Sequence, residues 1–573
     1  MARCVDSGTW GSRLSLGAEG GVTMHRAEPD QREPALTTTR SGPRPRGVLL
    51  TGLAVALLWI GMDLPSRLSA IAPLTFLRIP LLLLVFAAIL VAVRPAASRT
   101  RTILAVVLGV LVGSLSILRL LDMGFREAIG RPFNPVVDWI NVGSGASLLI
   151  DSVGQIVGVA LIVLAGILVV GILVAMPLAA VRVARAVARN RRSSGWVTTA
   201  LLLAWVGLAV GNVQVGRTEM ASTDAIAYAY KQVSEIPQGI RDKREFAEAA
   251  SEDPLRSIPD DKLLTSLRGK DVLFVFIESY GRVALEDPGV SDGIPELLDQ
   301  EGARLGAEGF SSRSAYLTSP TFGGISWLAH ATFQSGLWAD SKPRYDVLVA
   351  SERLTLSHAF NRAGWRTVVN VPANNADWDR RDFYDYDQLY DSRNVGYAGP
   401  KFGYAPIPDQ YTLETFQQLE LADADRDPVM AEIDLVSSHG PWAPLPGLVD
   451  PDEIGDGSIY NDMAKGPTPS DAAASRAAYT ASIQYSLTSV FSFMERHADD
   501  DTVLVMLGDH QPSTVISGSE SGNDVPISIV ARDPAVLEQI SSWNWDEGLS
   551  PGTDAPVTRM DTFRDEFLGA FNS

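Results

Sequence analysis

Five apolar segments dominate the first 216 residues of this 573-residue chain, and nearly all of its long apolar runs lie there. A helix needs about 20 mostly apolar residues to cross the hydrocarbon core of a bilayer. The segments are Val48–Met62, Ala70–Val93, Thr102–Leu121, Ile156–Pro177 and Trp196–Val215. We therefore predict a five-helix N-terminal transmembrane region, followed from residue 271 by an α/β domain.

Arginines flank these segments on alternate sides. They precede the first segment and lie between the second and third and between the fourth and fifth, whereas the other two connections have few basic residues. The residues are Arg40, Arg44, Arg46, Arg94, Arg99, Arg101, Arg182, Arg185, Arg189, Arg191 and Arg192. Since basic loops stay in the cytoplasm, we predict a multi-pass cell-membrane protein with a cytoplasmic N-terminus and an extracytoplasmic C-terminal domain.

The ends of the transmembrane region divide the chain into four parts. Residues 1–46 are rich in Arg, Gly, Pro, Ser and Thr and predict a disordered cytoplasmic tail, in which Met24 is an alternative start. No cleavable signal peptide is apparent. Residues 47–216 hold the five spans, and residues 217–270 are interpreted as a juxtamembrane connector of short helices with breaks at Pro237, Pro254 and Pro259. Residues 271–573 are predicted to form the extracytoplasmic domain.

The charge and cysteine content restrict the possible partners and the source of stability. The net charge is −19, with Arg concentrated before residue 200 and Asp and Glu dominating afterwards. Because the large soluble part has no basic stripe, nucleic acid is excluded as a partner. Cys4 is the single cysteine, so the external domain must be stabilised by a packed core rather than by disulfides.

The C-terminal part alternates apolar strands with helical stretches. The strands are DVLFVFI from Asp271, Trp365–Val371, a run from Pro428, a run from Asp501 and another from Val525. Helices are predicted over Leu354–Ala363 and from Asp471 to His497. This alternation predicts an α/β fold with a mostly parallel central sheet.

Polar residues follow three of these strands. Glu278 ends the first, His439 follows the third, and Asp509 and His510 follow the fourth. Active sites of parallel α/β sheets gather at the carboxyl ends of the strands. Carboxylate and imidazole groups brought together there predict a site for a divalent cation, and one nitrogen with three oxygen donors suits Mn²⁺ or Zn²⁺.

A hydroxyl group lies in the segment GGISWLAHATFQSGL, where two glycines precede a predicted helix. Ser326 is placed at the start of that helix, where backbone amides favour an oxyanion such as phosphate. A cation next to this hydroxyl would lower its pKa and neutralise the attacked ester. Helix capping is the alternative role for such a residue.

These motifs, FIESYG, SSHGPW and LGDHQP, resemble the alkaline phosphatase/sulfatase superfamily. The resemblance is to its membrane-anchored branch, which includes lipoteichoic acid synthase-type phosphoglycerol transferases and phosphoethanolamine transferases. It implies a sulfatase-like domain with Glu278, Asp509 and His510 as metal ligands and His439 on the substrate side. It places the nucleophile, which is also a metal ligand, at Ser326, with Thr321 in SPTFGG as the alternative.

The segment NNADWDRRDFYD resembles the stretch in which lipoteichoic acid synthases contact a glycerol phosphate group. The resemblance implies Trp378 and Arg380 as substrate contacts, and a surface loop is the alternative. The family's upstream histidine has no counterpart, since Val371 and Pro372 stand there. His330, beside Ser326, is interpreted as a packing residue of the helix.

The sequence thus predicts a phosphotransferase or phosphoesterase that uses one Mn²⁺ or Zn²⁺ ion and a covalent Ser or Thr intermediate. The expected substrate is a membrane lipid or a lipid-linked envelope polymer, because a membrane anchor confines enzyme and lipid to the same plane. A sulfatase-like hydrolase is one alternative. A non-catalytic envelope binding protein with a sulfatase-like domain is the other.

Overall fold

The protein is described here as a computed structural model. The structure describes residues 45–93, 97–135, 138–140, 155–216, 218–378, 380–442, 444–463, 469, 471–518 and 520–572. The predicted N-terminal tail lies outside these residues, apart from its last two positions.

Helices account for most of the described N-terminal part. They are α1 Pro45–Asp63, α2 Leu81–Ala92, α3 Ser98–Ile129, α4 Gln155–Arg189 and α5 Arg191–Val210. Among the described residues, four of these, all except α2, are long and apolar enough to cross a membrane. The structure therefore shows four candidate spanning helices where the sequence predicted five.

The difference lies in the predicted second span, Ala70–Val93. Only its 12-residue C-terminal half forms helix α2, which at about 1.5 Å per residue is about 18 Å long, against about 30 Å of hydrocarbon. Pro73 begins a short 3₁₀ turn and Pro80 has an extended backbone immediately before α2. Proline lacks an amide hydrogen and disfavours helix at the residue before it, so this apolar run is interrupted.

The connector contains a longer helix than its prolines predict. Helix α6, Asp224–Ser251, continues through Pro237, which was predicted to break it. Short 3₁₀ turns follow at Pro254–Ser257, Asp260–Lys262 and Thr265–Leu267 and lead to the first strand of the sheet.

The C-terminal part is built on one nine-stranded sheet in the described residues. Its strands are β1 Asp271–Ile277, β2 Ser311–Thr318, β3 Arg366–Val371, β4 Gln388–Asp391, β5 Val429–Leu435, β6 Thr502–Gly508, β7 Asp524–Ala531, β8 Asp546–Glu547 and β9 Val557–Arg559. They lie in the order β8-β2-β7-β6-β1-β5-β3-β4, with β9 also paired to β2.

Strands β6, β1, β5, β3 and β4 are mutually parallel, and β7 runs antiparallel between β6 and β2. The prediction of a mostly parallel central sheet is confirmed. Strand β2 was not predicted, because its sequence SSRSAYLT has no continuous apolar run.

Helices cover both faces of the sheet. They are α7 Val283–Glu286, α8 Ile294–Ala307, α9 Ser326–Ser335, α10 Lys342–Leu348, α11 Leu356–Arg362, α12 Asp409–Phe416, α13 Ala472–His497, α14 Thr514–Ser517, α15 Pro534–Gln539 and α16 Phe563–Phe571. Alternate residues of β1 belong to two separate cores: Leu273 packs in the core of α8 and α13, and Phe274 in that of α9, α11 and α16. A strand buried on both faces has no polar face, which explains its continuous apolar run.

Candidate active site

Three adjacent parallel strands carry the candidate site. Strand β1 lies between β5 and β6, so Glu278 after β1, His439 after β5 and Asp509–His510 after β6 emerge at the same edge. The backbone amide of Glu278 donates to Leu435 O at 3.0 Å, which extends the pairing of β1 and β5 up to the site. The strand ends converge because the three parallel strands are neighbours in the sheet.

Glu278, Asp509 and His510 form a buried group that could hold a metal ion, with ligand atoms within 4.8 Å of one another. His510 Nε2 lies 3.3 Å from Glu278 Oε1 and 3.5 Å from Asp509 Oδ2. His510 Nδ1 bonds to Gln511 O at 2.8 Å. Because a carbonyl only accepts, Nδ1 carries the hydrogen, and in the neutral ring Nε2 presents its lone pair to the carboxylates.

Asp509 indicates most directly that this group fits a cation. Its Oδ1 accepts from the backbone amides of Ser279 and His510, both at 2.7 Å. Its Oδ2 is buried and has no hydrogen-bond partner among the described residues. A buried carboxylate oxygen without a partner is costly, and a divalent cation bound by two carboxylates and one imidazole would satisfy it. The residues fit Mn²⁺ or Zn²⁺.

Glu278, Asp509 and His510 are buried close together, so burial and the neighbouring charges shift the pKa of each. Burial and the nearby charge of Glu278 raise the pKa of Asp509 to about 6. Burial opposes the charged form of His510, but Asp509 and Glu278 raise its pKa to about 9. Burial also opposes the charged form of Glu278, whose pKa is nevertheless held well below its usual range by His439 and His510.

Ser326 joins this group from a different segment. Its Oγ donates to Glu278 Oε2 at 2.9 Å and lies 3.2 Å from His510 Nε2. It is the first residue of α9, after Ile325, whose φ of 67° is left-handed. A β-branched residue rarely adopts this conformation, and such strain at the start of a helix is typical of functional sites.

Thr321, the alternative nucleophile, occupies a different position. It is buried, its amide donates to Ser319 Oγ at 3.3 Å, and Ser319 Oγ donates to the backbone carbonyl of Asp509 at 2.6 Å. Among the described residues, no hydrogen bond joins the Thr321 side chain to Glu278, Asp509 or His510. Of the two candidate residues, Ser326 is the one whose hydroxyl contacts Glu278 and His510 in the described residues.

His439 lies beside the candidate metal ligands Glu278, Asp509 and His510. Its Nδ1 bonds to Gly440 O, which fixes the ring, and the hydroxyl of the preceding Ser438 donates to Glu278 O at 2.5 Å. Tyr404 stacks on His439 with ring centroids 3.6 Å apart and planes at 16°. Sequence reasoning missed Tyr404, because nothing in its loop marks this contact.

Among the described residues, no contact joins Trp378 or Arg380 to the candidate metal ligands. Trp378 packs against Tyr384 with ring centroids 5.2 Å apart, and it lies close enough to Tyr345 to lower the pKa of that hydroxyl, which burial raises. Tyr345 in turn contacts Trp327, which follows Ser326, at 4.5 Å. An aromatic cluster therefore links Trp378 to the start of α9, and Arg380 is exposed at its side.

A second group of potential ligands consists of His330, Glu432 and Asp434. His330 packs on Phe276 with ring centroids 4.0 Å apart, as expected for a packing residue, and its Nδ1 also bonds to Glu432 Oε1 at 2.8 Å. Burial disfavours the charged ring, but Asp434 and Glu432 raise the pKa of His330 to about 10. Sequence reasoning missed both acids, although two acidic residues within a buried strand were a visible signal.

Three solved structures illustrate what this chain is similar to. The chain matches the lipoteichoic acid synthase LtaP of Listeria monocytogenes at 16% identity over 55% of this chain and 76% of that chain, with a TM-score of 0.35. It matches an alkaline phosphatase superfamily protein of Vibrio parahaemolyticus at 14% identity over 58% and 75%, with a TM-score of 0.36. It also matches the phosphoglycerol transferase GacH of Streptococcus pyogenes at 12% identity over 58% and 90%, with a TM-score of 0.33.

The chain is similar to these three solved structures, one of which is described as an alkaline phosphatase superfamily protein. No protein-family model and no curated protein sequence matches the chain.

Proposed function

We propose that the chain is a metal-dependent phosphotransferase or phosphoesterase of the cell envelope, with Ser326 as its nucleophile. The observation that carries this proposal is the position of Ser326 Oγ, 2.9 Å from Glu278 and 3.2 Å from His510. His510 Nε2 also lies 3.5 Å from Asp509 Oδ2, which has no hydrogen-bond partner among the described residues. A hydroxyl next to a set of potential cation ligands, at the start of a helix, suits nucleophilic attack on an anionic ester.

Glu278, Asp509, His510 and the Ser326 hydroxyl are proposed to hold one Mn²⁺ or Zn²⁺ ion. When bound, the cation supplies positive charge that favours deprotonation of a nearby hydroxyl and neutralises the ester. Ser326 Oγ loses its proton and bonds to phosphorus, while the bond from phosphorus to the leaving oxygen breaks and that oxygen takes up a proton. The oxygen of an acceptor hydroxyl or of water then bonds to phosphorus and loses its proton, while the bond from phosphorus to Ser326 Oγ breaks and Oγ takes up a proton.

The proposed substrate contacts lie on two sides of this centre. His439, whose ring is fixed by Gly440 O and Tyr404, is assigned to the ester. Trp378 and Arg380 are assigned to the phosphate-bearing group of the donor, because the planar guanidinium suits phosphate. We propose a membrane lipid or lipid-linked envelope polymer as substrate, since helices long enough to anchor the chain precede the domain.

The proposed membrane arrangement keeps five crossings, with residues 47–216 in the membrane and the N-terminus in the cytoplasm. Residues Ile79–Pro80, just before α2, pair with Ala221–Ser222. At the other end of α2, Arg191 Nε donates to Val91 O at 2.7 Å. One end of α2 therefore lies at the first residue of α5, and its other end lies at the segment after α5. Because α2 lies along α5, these contacts support a membrane crossing by the segment Ala70–Val93.

Cysteine labelling tests this arrangement, since Cys4 is the single cysteine. In a Cys4→Ser background, Asp500→Cys on the catalytic domain and Arg189→Cys at the end of α4 provide matched single sites. On intact cells, a membrane-impermeant maleimide should label Asp500→Cys only. Labelling of Arg189→Cys alone would contradict the orientation.

An activity assay on the full chain tests the chemistry. The detergent-purified protein, loaded with Mn²⁺ or Zn²⁺, is incubated with bis(p-nitrophenyl) phosphate, p-nitrophenyl phosphate and p-nitrophenyl sulfate. We expect release of nitrophenol from the diester and its loss in Ser326→Ala. Release from the sulfate alone would favour the sulfatase-like alternative, and no metal binding with no turnover would favour the binding protein.

Lipid analysis addresses the natural substrate. Deletion of the gene should remove a phosphate-linked substituent from an envelope lipid or polymer, and the intact gene should restore it while the Ser326→Ala form should not. Restoration by Ser326→Ala would contradict a catalytic role for this serine.

A further inference from the structure

Glu432 is a buried carboxylate beneath the candidate site. It lies in strand β5 and is only 4% exposed. Its Oε1 bonds to His330 Nδ1 at 2.8 Å, and its Oε2 accepts from Tyr386 Oη at 2.8 Å and from Gln334 Nε2. Three donors therefore converge on one carboxylate.

Two of these donors belong to the helix that begins with Ser326. His330 lies about one helical turn after Ser326, and Gln334 about one turn further. Gln334 is fully buried, and its Oε1 also accepts from the Ser357 amide at 3.0 Å. Glu432 therefore joins two successive turns of α9 to the central sheet.

Helix α9 needs such support at its first turn. It has only 10 residues, and left-handed residues, Ile325 and Gly336, flank both ends. A rotation of about 20° about the helix axis would move a serine Oγ by about 1 Å. Displacement of a reacting atom by about 1 Å can reduce a rate about 100-fold.

A cation between His330, Glu432 and Asp434 is the competing interpretation. Asp434 Oδ1 is buried, lies 3.5 Å from His330 Nδ1 and has no hydrogen-bond partner among the described residues. Both oxygens of Glu432, however, already accept hydrogen bonds, and His330 Nδ1 is engaged with Glu432. A cation would have to displace these donors. The contacts favour a structural bond between strand and helix.

We infer that Glu432 is a positioning residue, which holds α9 through His330 and Gln334 so that Ser326 Oγ stays next to Glu278. This inference rests on the proposed function for its effect on rate. Its effect on the helix does not depend on that function.

The test compares Glu432→Ala and Glu432→Gln with Glu414→Ala in the full-length protein. Glu414 is a matched control: it is 5% exposed and bonds to His497 Nε2 at 2.9 Å, but it lies on α12. Hydrogen exchange of the peptide covering residues 326–335 is measured first. We expect its protection to fall at least tenfold in Glu432→Ala, with little change in Glu414→Ala.

The second measurement is turnover of bis(p-nitrophenyl) phosphate. We expect kcat to fall about 10- to 100-fold in Glu432→Ala, with KM changed less than about threefold, because the attacking atom is displaced and the substrate contacts remain. Glu432→Gln keeps an oxygen acceptor and offers a donor to a neutral His330, so it should recover most of the rate. Glu414→Ala should retain the original kcat.

Each outcome distinguishes the inference from the proposed function. Unchanged exchange of residues 326–335 in Glu432→Ala would overturn the positioning role, as would equal exposure of this peptide in Glu414→Ala. A second equivalent of bound metal that disappears in Glu432→Ala would also overturn it. Absence of turnover in the unmodified protein would refute the proposed function, while exchange would still decide the role of Glu432.

Discussion

Ser326 Oγ donates a hydrogen bond of 2.9 Å to Glu278 Oε2, although the two residues are 48 positions apart. Glu278 follows a central strand and Ser326 begins a helix on one face of the sheet. Their contact brings a hydroxyl to a group of cation ligands, and it is the basis of the catalytic proposal.

Replacement of Ser326 distinguishes the two candidate nucleophiles. Ser326→Ala should reduce turnover of bis(p-nitrophenyl) phosphate by about 1,000-fold or more, since no other hydroxyl contacts Glu278 and His510 together in the described residues. Thr321→Ala should retain turnover within about tenfold, because Thr321 bonds within its own loop. The reverse pattern would identify Thr321 as the nucleophile.

Metal content provides a prediction that does not depend on turnover. The purified chain should contain about one equivalent of Mn²⁺ or Zn²⁺ by elemental analysis, and Asp509→Ala should lose it. Metal binding to the folded state alone raises stability by about 2.7 kcal/mol at 100 times Kd, so removal by EDTA should lower Tm. Glu420→Gln, a buried carboxylate bonded to Arg366 and Tyr390, is the matched control and should keep its metal.

Asp409 predicts a pH-dependent change in stability. Burial raises its pKa from 3.8 to about 6, although Ser486 and Ser437 donate hydrogen bonds to it. Between pH 4 and 6 the folded state therefore holds more protons at this site than the unfolded state, so its contribution to stability falls as pH rises through this window. Asp409→Asn removes this loss and should be more stable than the original protein by about 2 to 3 kcal/mol at pH 7.

The difference should be much smaller at pH 4 and should vanish only below pH 3.8, where Asp409 becomes protonated in both states. Thermal unfolding of both proteins at pH 4 and pH 7 measures it, and groups shared by the two proteins cancel. A difference of the same size at both pH values would show that Asp409 does not titrate in this range.

A buried ion pair fixes the connector against the C-terminal α/β domain. Arg564 is fully buried, and its Nη1 donates to Asp253 Oδ2 at 2.8 Å and to Leu354 O at 2.6 Å. Asp253→Ala removes the buried counter-ion and leaves the half-exposed Asp565 as the remaining acidic partner of Arg564, so it should reduce the free energy of unfolding by about 3 to 5 kcal/mol. Glu248→Ala, which removes an exposed pair with Arg244, should cost less than about 1 kcal/mol. Equal costs for the two changes would contradict this account.

The strand ends of the site were predictable because a strand buried on both faces leaves a continuous apolar run. Such runs located β1, β5 and β6, and the polar residues that follow these strands are the candidate metal ligands and His439. The same reasoning failed for β2, whose burial depends on neighbouring strands, and for Ala70–Val93, where Pro73 and Pro80 interrupt an apolar run. Pro237 shows the opposite error, since helix α6 continues through it.

The sequence by itself determined the apolar N-terminal region, the α/β class and the residue types at the strand ends, because each depends on local composition and period. Only the tertiary structure decided that Ser326 rather than Thr321 meets Glu278, that Tyr404 stacks on His439, and that Glu432 joins β5 to α9. These contacts join residues distant in the chain, and their geometry depends on sheet order and helix rotation, which local patterns do not specify.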